Sequence, residues 1–283
     1  MKLCRYDDNR LGLVQGEAVR DVTPVLEELG RFAYPLPRFD PFIARLDSLK
    51  GRIEEEAKRA KPVPLDRVKL LAPVANPGKI IAAPVNYAKH LQEALADKGI
   101  HHGKLVQEIH KAGMFLKATS AVVGPGEGVK LVHTDRRNDH EVELALVIGR
   151  TAKNVSAQEA PAHIAGFCIG LDMTIRGPEE RSLRKSPDSY CVLGPWLATP
   201  DELGDPDNLQ VSLAVNGELR QDSSTSDLIL GVDELIAWGS SFYTLHPGDV
   251  ILTGTPQGVA PVRPGDTMLA KIERIGAMQV KVS

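Results

Sequence analysis

Three acidic residues crowd the start of an apolar run, DHEVELALVIGR at 139–150: Asp139, Glu141 and Glu143. On a strand, residues two apart share a face. Glu141 and Glu143 therefore point one way, while Val142, Leu144, Leu146 and Ile148 point the other. Ala145 and Val147 continue the acidic face, so it is not an ordinary solvated one. Neighbouring buried carboxylates repel, and one must take up a proton unless a cation joins them. A divalent ion removes the conflict, and carboxylate oxygens suit Mg²⁺, Mn²⁺ or Ca²⁺ rather than copper or thiolate-bound zinc. The same spacing also fits solvated acids at a half-exposed strand start. Asp172, inside the apolar stretch GFCIGLDMTIRG, favours the metal, because an ionised Asp there needs a partner. Three carboxylates around one divalent ion leave a net negative charge, so a further cation is expected nearby. The segment RGPEERSLRKSPDSY offers Arg176, Arg181, Arg184 and Lys185, and the residues alone do not choose among them.

A second constellation is NYAKHLQE at 86–93. His90 and Glu93 lie three apart and are neighbours on a helix. A carboxylate beside an imidazole fixes its tautomer and raises its basicity, which suits a base that activates water. The same pair could be a solvated surface contact. His101 and His102 stand in a polar stretch and are expected at the surface. His140 lies on the strand face opposite the acids and is not counted as a ligand. A third feature is LTGTPQGVAPVRPGD at 252–266, whose glycines and threonines end an apolar run. Such a turn lets backbone N–H groups and hydroxyls approach an anionic ligand, although an ordinary strand-end loop reads the same. The glycines near Gly124 lack dinucleotide-fingerprint spacing and read as a turn. No GxSxG elbow, phosphate-binding Walker loop or HExxH helix is present.

These residues need elements to hold them. The chain has 283 residues, 42% hydrophobic and 25% charged, with net charge −3 and 5% aromatics. That is enough chain for a substantial core, and neither a nucleic-acid nor a membrane partner is expected. Cys4, Cys168 and Cys191 form no CxxC pair, the odd count argues against a disulfide framework, and a cytoplasmic location is expected. Residues 1–22 read as a hairpin, and Thr23-Pro24 as a helix start. Residues 31–50 look irregular, and 52–60 form a short charged helix. KPVPLDRV is a proline-spaced linker, placing a boundary near residue 66 between a small N-terminal domain (1–66) and a larger one (67–283). Beyond it, short β-like runs dominate, and Asn216-Gly217 marks a hairpin. Helices are expected at SAQEAPAHIAG, from a capping-box pattern at Ser156 and Glu159, and at VDELIAWGSSF and YAKHLQEALADKG. Strands that do not alternate with long helices argue for a β-rich α+β fold.

Taken in order, NYAKHLQE, FLKATS (115–120), DHEVELALVIGR, LDMTIR, RKSPDSYCVLGPW, the VNGELRQ hairpin with Thr225-Ser226-Asp227, and GDVILTGTPQGV resemble the fumarylacetoacetate hydrolase family, in its shorter bacterial-type, acylpyruvase-like members. The likeness covers roughly residues 75–283. It implies a β-roll catalytic domain behind a small N-terminal domain, usually a homodimer, with a Mg²⁺ or Mn²⁺ site that Ca²⁺ could fill in crystals. By position, Glu141, Glu143 and Asp172 match the metal ligands. His90 and Glu93 match the catalytic dyad on a short lid helix, and Lys185 a catalytic lysine. Lys117, Arg176, Ser189 and Thr255 fall at substrate-binding positions. Asp139 matches no ligand. Departures are Leu171, Gly177 and Glu179 where the family commonly has Asn, Asp and Gln, Pro187 in place of Phe, and a long segment at 94–114.

The resemblance implies catabolic hydrolysis of a C–C bond in a 2,4-dioxo acid, such as an acylpyruvate or fumarylpyruvate, to pyruvate and a carboxylic acid. His90, oriented by Glu93, would activate the water, the metal would polarise the 2-oxo-acid end, and Lys185 would offset developing charge. Decarboxylation of an oxaloacetate-like acid, or isomerisation of a 2-hydroxy-dienoate, would use the same metal site without an attacking water. A metal-stabilised binding protein without turnover is the remaining class.

Overall fold

The run VELALVI at 142–148 becomes a strand on which every residue is buried. Its alternation feeds two cores. Val142, Leu144, Leu146 and Ile148 belong to a cluster of 38 buried residues, and Ala145 and Val147 to a second cluster of 24. A strand sandwiched this way must carry apolar side chains on both faces. Its polar exceptions are therefore costly.

The computed structural model describes residues 1–283. The strand lies near the middle of a twelve-stranded sheet. Its spatial order runs 62–64, 18–21, 10–15, 2–6, 191–198, 164–172, 142–148, 250–252, 80–82, 115–117, with 70–71 and 122–123 pairing off this path. A four-stranded sheet contains the 210–215/218–224 hairpin and the 267–272/276–281 pair. The hairpin turns at Asn216 and Gly217 with φ of 51° and 85°, as Asn-Gly predicts. A small sheet joins 174–175, 138–140 and 260–261. The β-rich α+β class holds.

Three local expectations change. Residues 31–50 are not irregular throughout: one helix spans Pro41–Arg59. Pro41 opens it, and the Asp40 carboxylate caps it by accepting from the Phe42 and Ile43 N–H groups at 3.0 and 3.1 Å. The Ser156–Glu159 contact forms, but only a 3₁₀ turn at 160–163 follows it. Strand 191–198 is absent from the sequence reading because Gly194-Pro195 interrupts it, and proline within a run argues against a strand. That strand joins the N-terminal strands to the rest, with Lys2 opposite Ala198 and Leu3 opposite Leu197. The expected boundary near 66 coincides with a 3₁₀ turn at 65–67, yet the chain on both sides shares one sheet and one core.

Candidate metal centre and catalytic pocket

The antiparallel register brings the acids together. Val142 faces Leu171 and Glu143 faces Gly170, so the chain places Asp172 across from Glu141. The Asp172 N–H donates to the Glu141 carbonyl at 2.9 Å. One carboxylate oxygen from each of Glu141, Glu143 and Asp172 lies within 4.8 Å of the others, and all three side chains are buried.

Charge is shared unequally among them. Lys185 Nζ donates to Glu141 Oε2 at 2.6 Å and to Asp172 Oδ2 at 2.5 Å. Arg176 reaches Glu141 Oε1 at 2.9 Å, and the Thr174 hydroxyl donates to the same oxygen at 3.1 Å. Lys117 Nζ donates to Asp172 Oδ1 at 2.5 Å and to the Lys185 carbonyl. Glu143 receives one hydrogen bond, from the Gly254 N–H at 2.7 Å. Burial opposes ionisation of Glu141, but Lys185 and Arg176 outweigh it and hold the carboxyl well below its usual range. Burial and then the Asp172 charge push Glu143 well above. The donor set is all oxygen, and one member has no direct cationic partner. Both properties fit a hard divalent ion such as Mg²⁺ or Mn²⁺.

His90 lies on the helix Ala88–Ala96, and its Nδ1 meets Glu93 Oε2 at 2.9 Å. The other Glu93 oxygen accepts from the Gly258 N–H at 2.9 Å, so the loop after strand 250–252 fixes the dyad's orienting group. Gly258 is required there: its φ is +95°, and a Cβ would stand 2.0 Å from the Arg220 carbonyl oxygen. Asn86 anchors the start of this helix through its side chain, donating to the Thr253 and Leu230 carbonyls at 2.8 and 2.9 Å.

His90, the three acids, Lys185, Arg176 and Thr255 all line one cavity of about 300 Å³. Two expected substrate contacts lie elsewhere. Ser189 accepts from the Lys130 N–H at 2.8 Å and does not reach the cavity wall. Lys117 is buried behind Asp172, where it neutralises the acids. Thr255 lines the cavity, but its hydroxyl is engaged, donating to the Val142 carbonyl at 2.9 Å and accepting from Gln221 at 2.7 Å.

Sequence reasoning missed several contributors. His101, expected at the surface, is partly exposed and also lines the cavity. Gln221 is fully buried and ties Thr255 to the Val142 N–H. Its only signal was its place in the hairpin motif. Asp139, set aside as a ligand, bridges Arg137 at 2.7 Å and Arg176 at 2.8 Å.

Comparisons with known proteins agree on kinship. The family model described as fumarylacetoacetate (FAA) hydrolase C-terminal matches residues 79–283. A maleylpyruvate hydrolase from Aquipseudomonas alcaligenes is 61% identical over 284 residues, covering 100% of this chain and 99% of that protein. The mitochondrial oxaloacetate tautomerase Fahd2a of Rattus norvegicus is 38% identical, covering 78% of this chain and 71% of its own. The crystal structure of maleylpyruvate hydrolase from Sphingobium sp. SYK-6 in complex with manganese (II) ion and pyruvate superposes with a TM-score of 0.84. It is 38% identical and covers 100% of this chain and 98% of that one. With residues 79–283 matched and a relative 61% identical end to end, the chain belongs to the fumarylacetoacetate hydrolase family.

Proposed function

We propose that the protein is a metal-dependent hydrolase that cleaves the C3–C4 bond of a 2,4-dioxo acid, giving pyruvate and a carboxylic acid. The observation that carries this reading is one cavity faced by both an oxygen-only acidic triad and His90, whose Nδ1 is held from behind by Glu93. A relative that is 61% identical end to end is a maleylpyruvate hydrolase, whose named activity is of this kind.

Glu141, Glu143 and Asp172 would hold the divalent ion, which when bound draws electrons toward the 2-oxo-acid end of the substrate. The chain's own residues do the rest. Glu93 accepts a hydrogen bond from the Nδ1–H of His90, leaving Nε2 as the basic nitrogen. His90 removes a proton from water, and the oxygen adds to the C4 carbonyl. Collapse of the tetrahedral centre breaks the C3–C4 bond. The departing C3 takes the proton from His90, so one water is consumed and the base is regenerated. Lys185 and Lys117 offset the negative charge concentrated at the acids.

A second reading has support in the 38% identical oxaloacetate tautomerases: the same dyad could shuttle a proton at C3 without attacking water. The test is to supply Mn²⁺ and a panel of acylpyruvates and oxaloacetate, following pyruvate, the second acid and keto–enol absorbance. Stoichiometric pyruvate and acid support hydrolysis. Enol conversion without cleavage of any panel member replaces it with tautomerisation. A cytoplasmic homodimer completes the proposal; three unpaired, buried cysteines fit a reducing compartment, and light scattering at monomer mass would remove the dimer.

A further inference from the structure

Five lysines and arginines line the cavity, and four of them are committed. Arg176 and Lys185 are bound to the acids. Arg184 donates to the Glu179 carbonyl at 2.9 Å, and Lys104 to the same oxygen at 2.8 Å. Arg181 differs. Its guanidinium makes no hydrogen bond and no ion pair within the chain, although it is half-buried and lines the cavity. It rests over the Phe115 ring, 5.4 Å from the ring centre. Burial pulls its pKa below the ordinary value, although the charges of Glu141, Asp172 and Glu180 oppose that shift. A side chain with five donors in a rigid fork is thus held at the cavity with its recognition surface unused.

Its placement relative to the acids is defined. The same Phe115 ring carries Lys185 Nζ at 5.5 Å, and Lys185 touches Glu141 and Asp172. Arg181 therefore lies within about 11 Å of the ammonium at the acidic triad. A short-chain acid can span that distance, with its 2-oxo-acid end at the triad. An apolar tail would leave Arg181 unpaired at the cavity wall, and a cationic tail would be repelled. A carboxylate tail would be held by two parallel charge-assisted hydrogen bonds.

We propose that Arg181 reads a second, remote carboxylate, making the site selective for dicarboxylic 2,4-dioxo acids over those with uncharged tails. This deepens the hydrolase reading and rests on it. The kinetic test compares an acylpyruvate ending in a carboxylate with one of equal length ending in a methyl group. In R181M the diacid-to-methyl ratio of kcat/KM should fall roughly 10- to 100-fold, mainly through KM, and R181K should recover part of it. An unchanged ratio overturns the proposal. The binding test needs no turnover: 2-oxoadipate and 2-oxohexanoate, which have no 4-oxo group, are titrated calorimetrically into the Mn²⁺-loaded protein. The wild type should bind the diacid at least about 10-fold more tightly, and R181M should abolish the difference. Equal affinities in the wild type, or a preference that survives in R181M, overturn it. Absence of C–C cleavage with an Arg181-dependent preference intact would sink the hydrolase reading alone.

Discussion

Glu143 is the carboxylate most in need of a cation, with one backbone hydrogen bond, complete burial and Asp172 close by. A bound divalent ion would favour its ionised form. Glu143→Gln keeps the shape and the Gly254 contact while removing the charge. It should weaken Mn²⁺ binding at least about 10-fold in a calorimetric titration, and wild-type affinity in this variant would remove Glu143 from the metal set. His90→Ala is the complementary test. It should cut kcat by about 10²- to 10⁴-fold while Mn²⁺ affinity stays near the wild-type value. Loss of both together would assign His90 to holding the site rather than moving protons. The acids were legible in the sequence because charge on an apolar strand is expensive and demands a reason. Ser189 and Lys117 were not: the resemblance sets them at substrate contacts, whereas the tertiary packing has one pin the Lys130 backbone and the other back Asp172.

Element positions follow from patterns whose legibility varies. Two-residue alternation placed strand 142–148, whereas proline hid both strand 191–198 and the start of helix 41–59. Least visible was a chain of ion pairs between elements. Glu141 pairs with Arg176, Arg176 with Asp139, Asp139 with Arg137, and Arg137 with Asp97 at 2.7 Å. Asp97 also caps the short helix Lys98–His101, accepting from the Gly99 N–H at 2.7 Å, and His101 lines the cavity. The chain thus links one acid of the triad to the segment that brings His101 to the cavity wall. Asp97→Ala should raise KM several-fold with a smaller effect on kcat, and should speed proteolytic nicking between residues 97 and 108. Unchanged KM and nicking would show that this segment is held by other contacts. On the opposite side, Gly258→Ala should destabilise the protein by about 1–3 kcal/mol, because the new Cβ meets the Arg220 carbonyl at a positive φ. It should also lower kcat by displacing the N–H that orients Glu93. A variant with wild-type melting and kcat would mean that the loop relaxes without moving the dyad.

For the whole molecule, the central question is whether residues 67–283 carry the site unaided. Composition and the proline-spaced linker pointed to a boundary near 66, since neither reveals which strands pair across it. The pairing argues for dependence. Strand 2–6 hydrogen-bonds to strand 191–198, which in turn pairs with 164–172, the strand ending in Asp172. The helix Pro41–Arg59 places Ile43, Leu46, Leu49 and Ile53 in the same cluster as Ala145, Val147 and Cys168. Behind the acidic face, then, lies a core supplied partly by the N-terminal segment. Removing residues 1–66 would expose the edge of strand 191–198 and take away the apolar helix face that covers Ala145, Val147 and Cys168. Burial of the four large side chains on that helix contributes roughly 1.5–3 kcal/mol each, which together rivals the whole stability of a typical domain. A chain of residues 67–283 is therefore expected to lack a cooperative thermal transition, to bind a hydrophobic dye, and to show no Mn²⁺-dependent rise in Tm. The full chain should show such a rise, about 2.7 kcal/mol of added stability at a hundredfold excess of free ion over Kd. A truncated chain that melts cooperatively and gains stability with Mn²⁺ as the full chain does would make the N-terminal segment an accessory. The metal centre would then be a property of the matched region alone.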